Sequence, residues 1–322
     1  MRELSGKIAV VTGGGSGMGR ELVRQLIAEG CHVAMCDVSP RGLAETERLC
    51  GEAGLPQGTR LTSHRCDVAN EADTLRFRDE VAAQHGSHVN LLFNNAGIGG
   101  AGSFVVDERR DWERTFNIVW GGVYLCTRAF LPLLQAAPEA HLVNTSSING
   151  FWASVGPDTP HTAYSAAKFA VKGFTEALVA DFRLNAPHIK VSCVMPGHIG
   201  TGIRTNSLKV QSGSDADELD ATAIAQLRTR MRSMGKDPTS LTDDEIRASL
   251  AERARRFVTE APTSAAEAAT IILDGVKADR LRILVGEDAL LIDRMVRETP
   301  DQAYEPAFYE RFAAEADWYP GR

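Results

Sequence analysis

Ile8-Ala9-Val10-Val11-Thr12-Gly13-Gly14-Gly15-Ser16-Gly17-Met18-Gly19-Arg20-Glu21-Leu22-Val23-Arg24-Gln25-Leu26 reads as an apolar strand, a glycine-rich turn and a helix in direct succession. Glycines permit a tight turn and a close approach of backbone to ligand, and a helix start offers free N–H groups and a partial positive charge to a phosphate. A glycine-rich loop alone is a weak signal; between a strand and a helix at the start of a chain, it is the opening of a nucleotide-binding α/β sheet.

Short apolar runs then alternate with longer amphipathic ones. The runs are Ile8–Thr12, His32–Val38, the more polar Arg60–Cys66, Val89–Asn94, His141–Ser146, Ile189–Met195 and Leu281–Val285. Continuous Val/Ile/Leu runs mark strands buried on both faces, the pattern of a parallel sheet covered by helices. Helices are expected over Gly17–Glu29, Pro40–Ala53, Asn70–His85, Glu108–Ala136, His161–Asn185 and Ser264–Ala278. The expected fold is α/β: one doubly wound, seven-stranded parallel sheet of Rossmann type with helices on both faces, in a single catalytic domain over residues 1–322.

The alternation stops after Met195-Pro196-Gly197. Residues 201–262 carry charge and two helical stripes, Ile224/Leu227/Met231/Met234 and Ile246/Leu250/Ala254/Phe257, the second opened by a capping-box pattern at Thr242 and Glu245. This segment leaves the carboxyl end of the sixth strand, where ligands of open α/β sheets lie, so a substrate lid or pocket wall is expected; stripes that only cover a subunit interface are the alternative. The tail, residues 299–322, holds Tyr304, Phe308, Tyr309, Phe312, Trp318 and Tyr319, too many aromatics for a disordered end, and is expected to pack on its own or a neighbouring subunit.

Composition narrows the class. The chain has 322 residues, 43% hydrophobic, with net charge −7 and pI near 5.7. Nucleic-acid surfaces need clustered Lys and Arg, and none is present as a stripe. Neither a signal-peptide core nor a long uncharged apolar span opens the chain, so a cytoplasmic protein without a membrane segment is expected. Six scattered cysteines without CxxC or His/Cys spacing read as buried free thiols, with no metal site expected.

Two further features carry chemistry. Asp37 ends the second strand, eighteen residues after Gly19; a carboxylate there accepts hydrogen bonds from both adenosine ribose hydroxyls and repels a 2′-phosphate, favouring NAD over NADP, with a plain turn-capping role as the alternative. Tyr164 and Lys168, four apart on a helix, leave the same face, and an adjacent ammonium is expected to lower the phenol pKa.

With these residues in place, the chain resembles the short-chain dehydrogenase/reductase (SDR) family over residues 5 to 200 and about 263 to 290. Thr12, Gly13, Gly17 and Gly19 match the family's TGxxxGxG, and Ser16 and Met18 lie in the same turn. Asp67-Val68 matches the acidic residue at the adenine ring; Asn94-Asn95-Ala96-Gly97 matches the NNAG motif over the cofactor; Pro196-Gly197-His198-Ile199-Gly200-Thr201 resembles the segment whose Ile backbone and Thr hydroxyl hold the nicotinamide carboxamide. The resemblance implies a tetrad of Asn117, Ser147, Tyr164 and Lys168, with Ser147 preferred to Ser146 because it stands three residues before Gly150. The gap from Ser147 to Tyr164 exceeds the family's usual spacing, the extra length falling in Trp152–His161.

The implied activity is interconversion of a secondary alcohol and its ketone with NAD: tyrosinate takes the hydroxyl proton, Ser147 stabilises the alkoxide, Lys168 holds the tyrosinate and the nicotinamide ribose, and Asn117 holds a water linking Lys168 to solvent. Apolar pocket candidates Ile98, Phe104, Phe151, Trp152 and Val155 suggest a hydrophobic substrate such as a terpenoid, steroid or aryl alcohol. An NAD-dependent epimerase or dehydratase is the rival within enzymes, disfavoured by the glycine spacing; a silent NAD-binding regulator or scaffold is the rival outside them, disfavoured by the intact Tyr and Lys. Relatives of this kind imply a homo-oligomer, tetramer or dimer, through the helices at Glu108–Ala136 and His161–Asn185.

Overall fold

The computed structural model describes residues 1–100 and 102–316. Seven parallel strands, β1 (Ile8–Thr12), β2 (His32–Asp37), β3 (Leu61–Arg65), β4 (Leu91–Asn94), β5 (Ala140–Thr145), β6 (Ile189–Pro196) and β9 (Arg282–Val285), form one sheet in the order β3-β2-β1-β4-β5-β6-β9. The doubly wound sheet expected from the alternation is therefore present, with the order reversing between β1 and β4. Alternate strand residues face opposite layers. Ala9, Val11, Val33 and Met35 pack with α1 (Gly17–Ala28), α2 (Pro40–Ala53) and α10 (Ala265–Lys277), while Val10, Ala34, Cys36, Leu92 and Leu142 pack with α3 (Glu71–His85), α5 (Gly122–Gln135) and α6 (Thr162–Asn185). All six cysteines are buried free thiols.

The single helix expected over Glu108–Ala136 is interrupted. α4 (Arg109–Phe116) passes into one π-helical turn, Asn117–Gly121, before α5. Gly122 explains the close fit that follows, because a side chain there would press on Val68 Cγ2. Arg109–Gln135 is long and apolar enough to cross a membrane by length and composition, yet Cys126, Phe130 and Leu134 are buried against the sheet, as in an internal helix.

Beyond β6 the chain forms β7 (Ile199–Gly200), α7 (Ile203–Ser212), α8 (Ala221–Ser233), α9 (Asp243–Thr259) and β8 (Thr263–Ser264), with β7 and β8 paired as a two-residue neck. Thr242 and Glu245 make both hydrogen bonds of the capping box that starts α9. Leu219, Ile224 and Ile246 form a small separate core with Leu208, Leu227 and Leu250. Neither α7, whose sequence is mostly polar, nor the neck was legible from apolar pattern. The chain ends in α11 (Glu287–Glu298) and α12 (Pro306–Ala316); Trp318 and Tyr319 lie outside the described residues.

One buried polar chain crosses the helical layer. Asn94 Nδ2 donates to Asn144 Oδ1 and to Thr127 Oγ1, each at 2.9 Å, and Asn144 Nδ2 donates to Thr175 Oγ1 at 3.0 Å. It joins β4, β5, α5 and α6 at the level of the glycine-rich turn. Asn144→Ala removes one bond from Asn94 Nδ2 and one from Thr175 Oγ1, while Asn94 keeps Thr127 and Thr175 keeps the Val171 carbonyl, so it is expected to cost about 1–3 kcal/mol in total, read as a lower urea midpoint with an unchanged slope.

Candidate active site

The glycine-rich turn is held from three sides. Gly14 N–H donates to the Cys36 carbonyl at 3.0 Å, Thr46 Oγ1 on α2 donates to the Gly14 carbonyl at 2.9 Å, and Arg20 bridges Thr46 to the Gly15 carbonyl. Gly13 and Gly17 have positive φ, 71° and 53°, which favours glycine. A side chain at Gly19 would overlap the Gly13 carbonyl, and one at Gly13 would come within 2.9 Å of Ala96 Cα. Ser16 and Met18 are half-buried at the start of α1.

Asp37 stands beside this turn. Its Oδ2 accepts from Gly15 N–H at 3.0 Å and its Oδ1 from Ser39 N–H at 2.9 Å. Each carboxylate oxygen retains a lone pair for a further donor, so the residue orders the turn and keeps spare acceptor capacity beside it. A side chain on Gly15 would fill that space, 2.9 Å from the carboxyl. Thr12, which the motif reading treated only as a pattern match, ties the two loops together: its hydroxyl accepts from the N–H groups of Asn95 and Ala96, both at 3.0 Å. Asp67 is exposed, with its carboxylate capping Ala69 N–H at 3.0 Å, while Val68 is buried.

At the carboxyl end of β5, Ser147, Tyr164 and Lys168 converge. Lys168 is 4% exposed; its Nζ donates to the Thr145 carbonyl at 2.7 Å and lies 5.4 Å from the centre of the Tyr164 ring. The Ser146 hydroxyl donates to the Lys168 carbonyl at 2.8 Å, which leaves Ser147 as the serine hydrogen-bonded to Tyr164. The expected lowering of the phenol is not found in this unliganded arrangement. Burial pushes Tyr164 up to about 12, against the opposing effect of the Ser147 hydrogen bond, and burial pulls Lys168 down to about 8. Desolvation penalises both charges, and the ammonium is directed at a carbonyl.

Asn117 is exposed at the start of the π turn, and its side chain makes no hydrogen bond to Ser147, Tyr164 or Lys168. Two residues on, Val119 is fully buried with Ile98, Ala167 and half-buried Tyr164. A Cβ on Gly97 would lie 4.0 Å from Val119 Cγ2 and 3.8 Å from Lys168 Nζ. One sequence assignment requires correction: Asn94, assigned to cofactor contact, is instead occupied inside the fold by Asn144 and Thr127. Ala96 and Gly97 remain at the cleft, half-buried and exposed.

The segment after β6 closes over the same edge. Gly197 leaves no room for a side chain against the Asp288 carboxylate, whose Oδ2 accepts from His198 N–H at 2.6 Å; Asp288, on α11, had no sequence signal. Pro196 ends β6 and Ile199 is buried in the neck. A Cβ on Gly17 would lie 3.2 Å from the Thr201 side chain, so Thr201 sits directly over the glycine-rich turn. α7 spans both loops: Asn206 Nδ2 donates to Ser16 Oγ at 3.0 Å, Gly99 N–H donates to Ser207 Oγ at 2.8 Å, and Gln211 Nε2 donates to the Gly99 carbonyl at 3.0 Å. Arg230 on α8 pairs with Asp107 at 2.5 Å.

The tail supports the serine loop of its own subunit. Trp152 is fully buried among Phe308, Tyr309 and Phe312 and donates from Nε1 to the Ala303 carbonyl at 2.7 Å. Tyr309 shares a hydrogen bond with Ser154 at 2.8 Å, and Ala153 N–H donates to the Tyr304 hydroxyl at 3.2 Å. Trp152 and Ile98 are thus core residues rather than pocket lining. Phe151 and Val155 are half-buried, and Phe104 is 76% exposed against Trp112.

Comparison with known proteins agrees with this geometry. The short chain dehydrogenase family model matches residues 7–211. SadH of Mycobacterium tuberculosis is 34% identical over 297 residues, 92% of each chain. Human dehydrogenase/reductase SDR family member 11 is 32% identical over 61% of this chain and 74% of its own. Among solved structures, a short chain dehydrogenase/reductase from Burkholderia phymatum in complex with NAD superposes with a TM-score of 0.74 at 26% identity, covering 95% of this chain and 98% of that one. With the matched model spanning most of the chain, the Rossmann sheet in place and Ser147, Tyr164 and Lys168 gathered at its carboxyl edge, this protein belongs to the short-chain dehydrogenase/reductase family.

Proposed function

We propose that the protein is an NAD-dependent oxidoreductase that interconverts a secondary alcohol and its ketone. The observation that carries this reading is the convergence of the Ser147 and Tyr164 hydroxyls with the buried Lys168 ammonium beside a dinucleotide-type turn. The glycine-rich turn fits NAD: Gly13 and Gly17 take positive φ and Gly19 lets the start of α1 pack against the Gly13 carbonyl, which keeps the turn tight, and Asp37 supplies a carboxylate suited to ribose hydroxyls and repellent to a 2′-phosphate. Ala96, Gly97, Pro196, Gly197, Ile199 and Thr201 border the remainder of that site. NAD, when bound, supplies the acceptor for the carbinol hydride.

The chain's own groups handle the proton. Ser147 and Tyr164 bind the substrate oxygen, Tyr164 takes its proton in the oxidative direction and returns it in the reductive one, and Ser147 donates to the developing alkoxide. Lys168, anchored by Thr145, keeps a positive charge next to the phenol when that charge is most useful. Asn117, exposed at the start of the π turn, holds a water that links Lys168 to solvent, the role that the family's tetrad implies. A mostly oxidised NAD pool, as in the cytoplasm, favours alcohol oxidation. The π turn and the long helices α5 and α6 present Trp120, Tyr124 and Phe174, ring against ring, as a surface suited to a homo-oligomer, tetramer or dimer.

Tyr164→Phe is expected to keep the fold and NAD binding and to lower kcat for NADH formation by about 10²–10⁴; near-normal turnover in the folded variant removes the assignment. Asn117→Ala is expected to keep the fold and NAD binding and to lower kcat by about 10², as for loss of a proton path, and turnover within twofold of the wild type would remove Asn117 from the site. For the wild type, kcat/KM for oxidation should rise with pH, reach half its limit near 8, the value to which burial brings Lys168, and level off above it. The sign follows because proton removal from the Tyr/Lys pair produces the base, and the apparent value belongs to the pair. A flat profile between pH 6 and 9 would contradict the scheme.

A further inference from the structure

A cavity of about 910 Å³ lies round the corner of α6 from the catalytic centre. Tyr164 and Lys168 leave one face of that helix. At roughly 100° per residue, Thr162, Ala166 and Phe169 leave a face well away from it, with His161 and Ser165 between the two. All five of these non-catalytic residues line the cavity, and its other walls come from the loop after Trp152, from Met234 at the end of α8 and from Tyr304 and Tyr309 of the tail.

Three observations point to an occupant. Ser165 is 3% exposed, lines the cavity, and its hydroxyl has no hydrogen-bond partner in the protein. A buried hydroxyl left so is costly and recovers that cost when a ligand pairs with it. The His161 ring lies 4.8 Å from the Tyr164 ring, so one side chain borders both cavity and catalytic tyrosine. Among the described residues the lining contains no Lys or Arg, and burial holds His161 down to about 4, so that wall is neutral at ordinary pH. The only carboxylate is exposed Asp158. An anion would enter without a counter-charge; an uncharged, largely apolar body would not need one.

We infer that this cavity receives the far end of a bulky, uncharged substrate whose carbinol reaches Tyr164 past His161, and that Ser165 hydrogen-bonds a hydroxyl, ether or carbonyl group on that far end. The inference rests on the alcohol-oxidising reading above and deepens it. It also gives the insertion and the tail one shared task, because each contributes a wall that the sheet and its helices do not supply.

The test uses androsterone, a rigid neutral secondary alcohol with a ketone at its opposite end, and cyclohexanol as a small counterpart. Calorimetric titration of androsterone into NAD-saturated Tyr164→Phe protein should show saturable binding. Adding Ala166→Trp, which fills the cavity from the helix surface, should weaken that binding at least tenfold, and adding Ser165→Ala should weaken it three- to tenfold. In the otherwise wild-type enzyme, Ala166→Trp should leave cyclohexanol oxidation within twofold. Absence of saturable binding, or equal affinity with and without Ala166→Trp, overturns the cavity assignment, and Met234→Trp repeats the block from the opposite wall should Ala166→Trp not fold. Cavity-dependent binding with no NADH formed by the wild type would uphold the cavity and count against the oxidoreductase reading alone.

Discussion

The site depends on one reciprocal lock between α6 and the end of β5. Lys168 Nζ donates to the Thr145 carbonyl at 2.7 Å while the Ser146 hydroxyl donates to the Lys168 carbonyl at 2.8 Å. A buried ammonium must find acceptors or lose its charge, and the last carbonyl of a buried strand is an acceptor whose position the sheet fixes. That demand sets the rotation of α6 about its axis. Tyr164, one helical turn earlier, is thereby brought against Ser147, and the same rotation turns Ser165 and Ala166 away into the second cavity. The lock leaves the outer face of α6 free for a different role without disturbing the inner one.

Around this lock, two segments outside the sheet brace loops that the sheet alone leaves unsupported. α7 bridges Ser16 and Gly99, and the tail encloses Trp152 and pairs with Ser154. They act differently. The α7 contacts are individual polar bonds, each worth little on its own. The tail contributes a continuous apolar cluster of Trp152, Phe308, Tyr309 and Phe312, whose separation would expose several large side chains. The tail is therefore the stronger of the two supports.

How much of this the sequence carried follows from range. Strand positions came through because each is a local run of Val, Ile and Leu, and the glycine-rich turn and the Tyr/Lys spacing came through because both are local as well. The π turn did not, because no pattern in Asn117–Gly121 signals the change of helix there. Trp152 read as pocket lining because its partners are more than 150 residues away in sequence. The Asn94–Asn144–Thr175 chain and the Asp288 contact are likewise long-range pairings of polar side chains, which leave no periodicity behind.

The protonation of Tyr164 and Lys168 was read from their spacing and came out differently, and the difference is instructive about how such a pair is activated. Spacing says that the two side chains share a face; it does not say what surrounds them. Burial raises the phenol toward 12 and lowers the amine toward 8, so in the protein alone each group is held toward its neutral form. The neutral pair is the state that costs least to bury. On the proposed mechanism it becomes an acid–base couple through hydrogen bonds that favour the charged forms, donated by the substrate hydroxyl to Tyr164 and by the Lys168 ammonium to ribose oxygens.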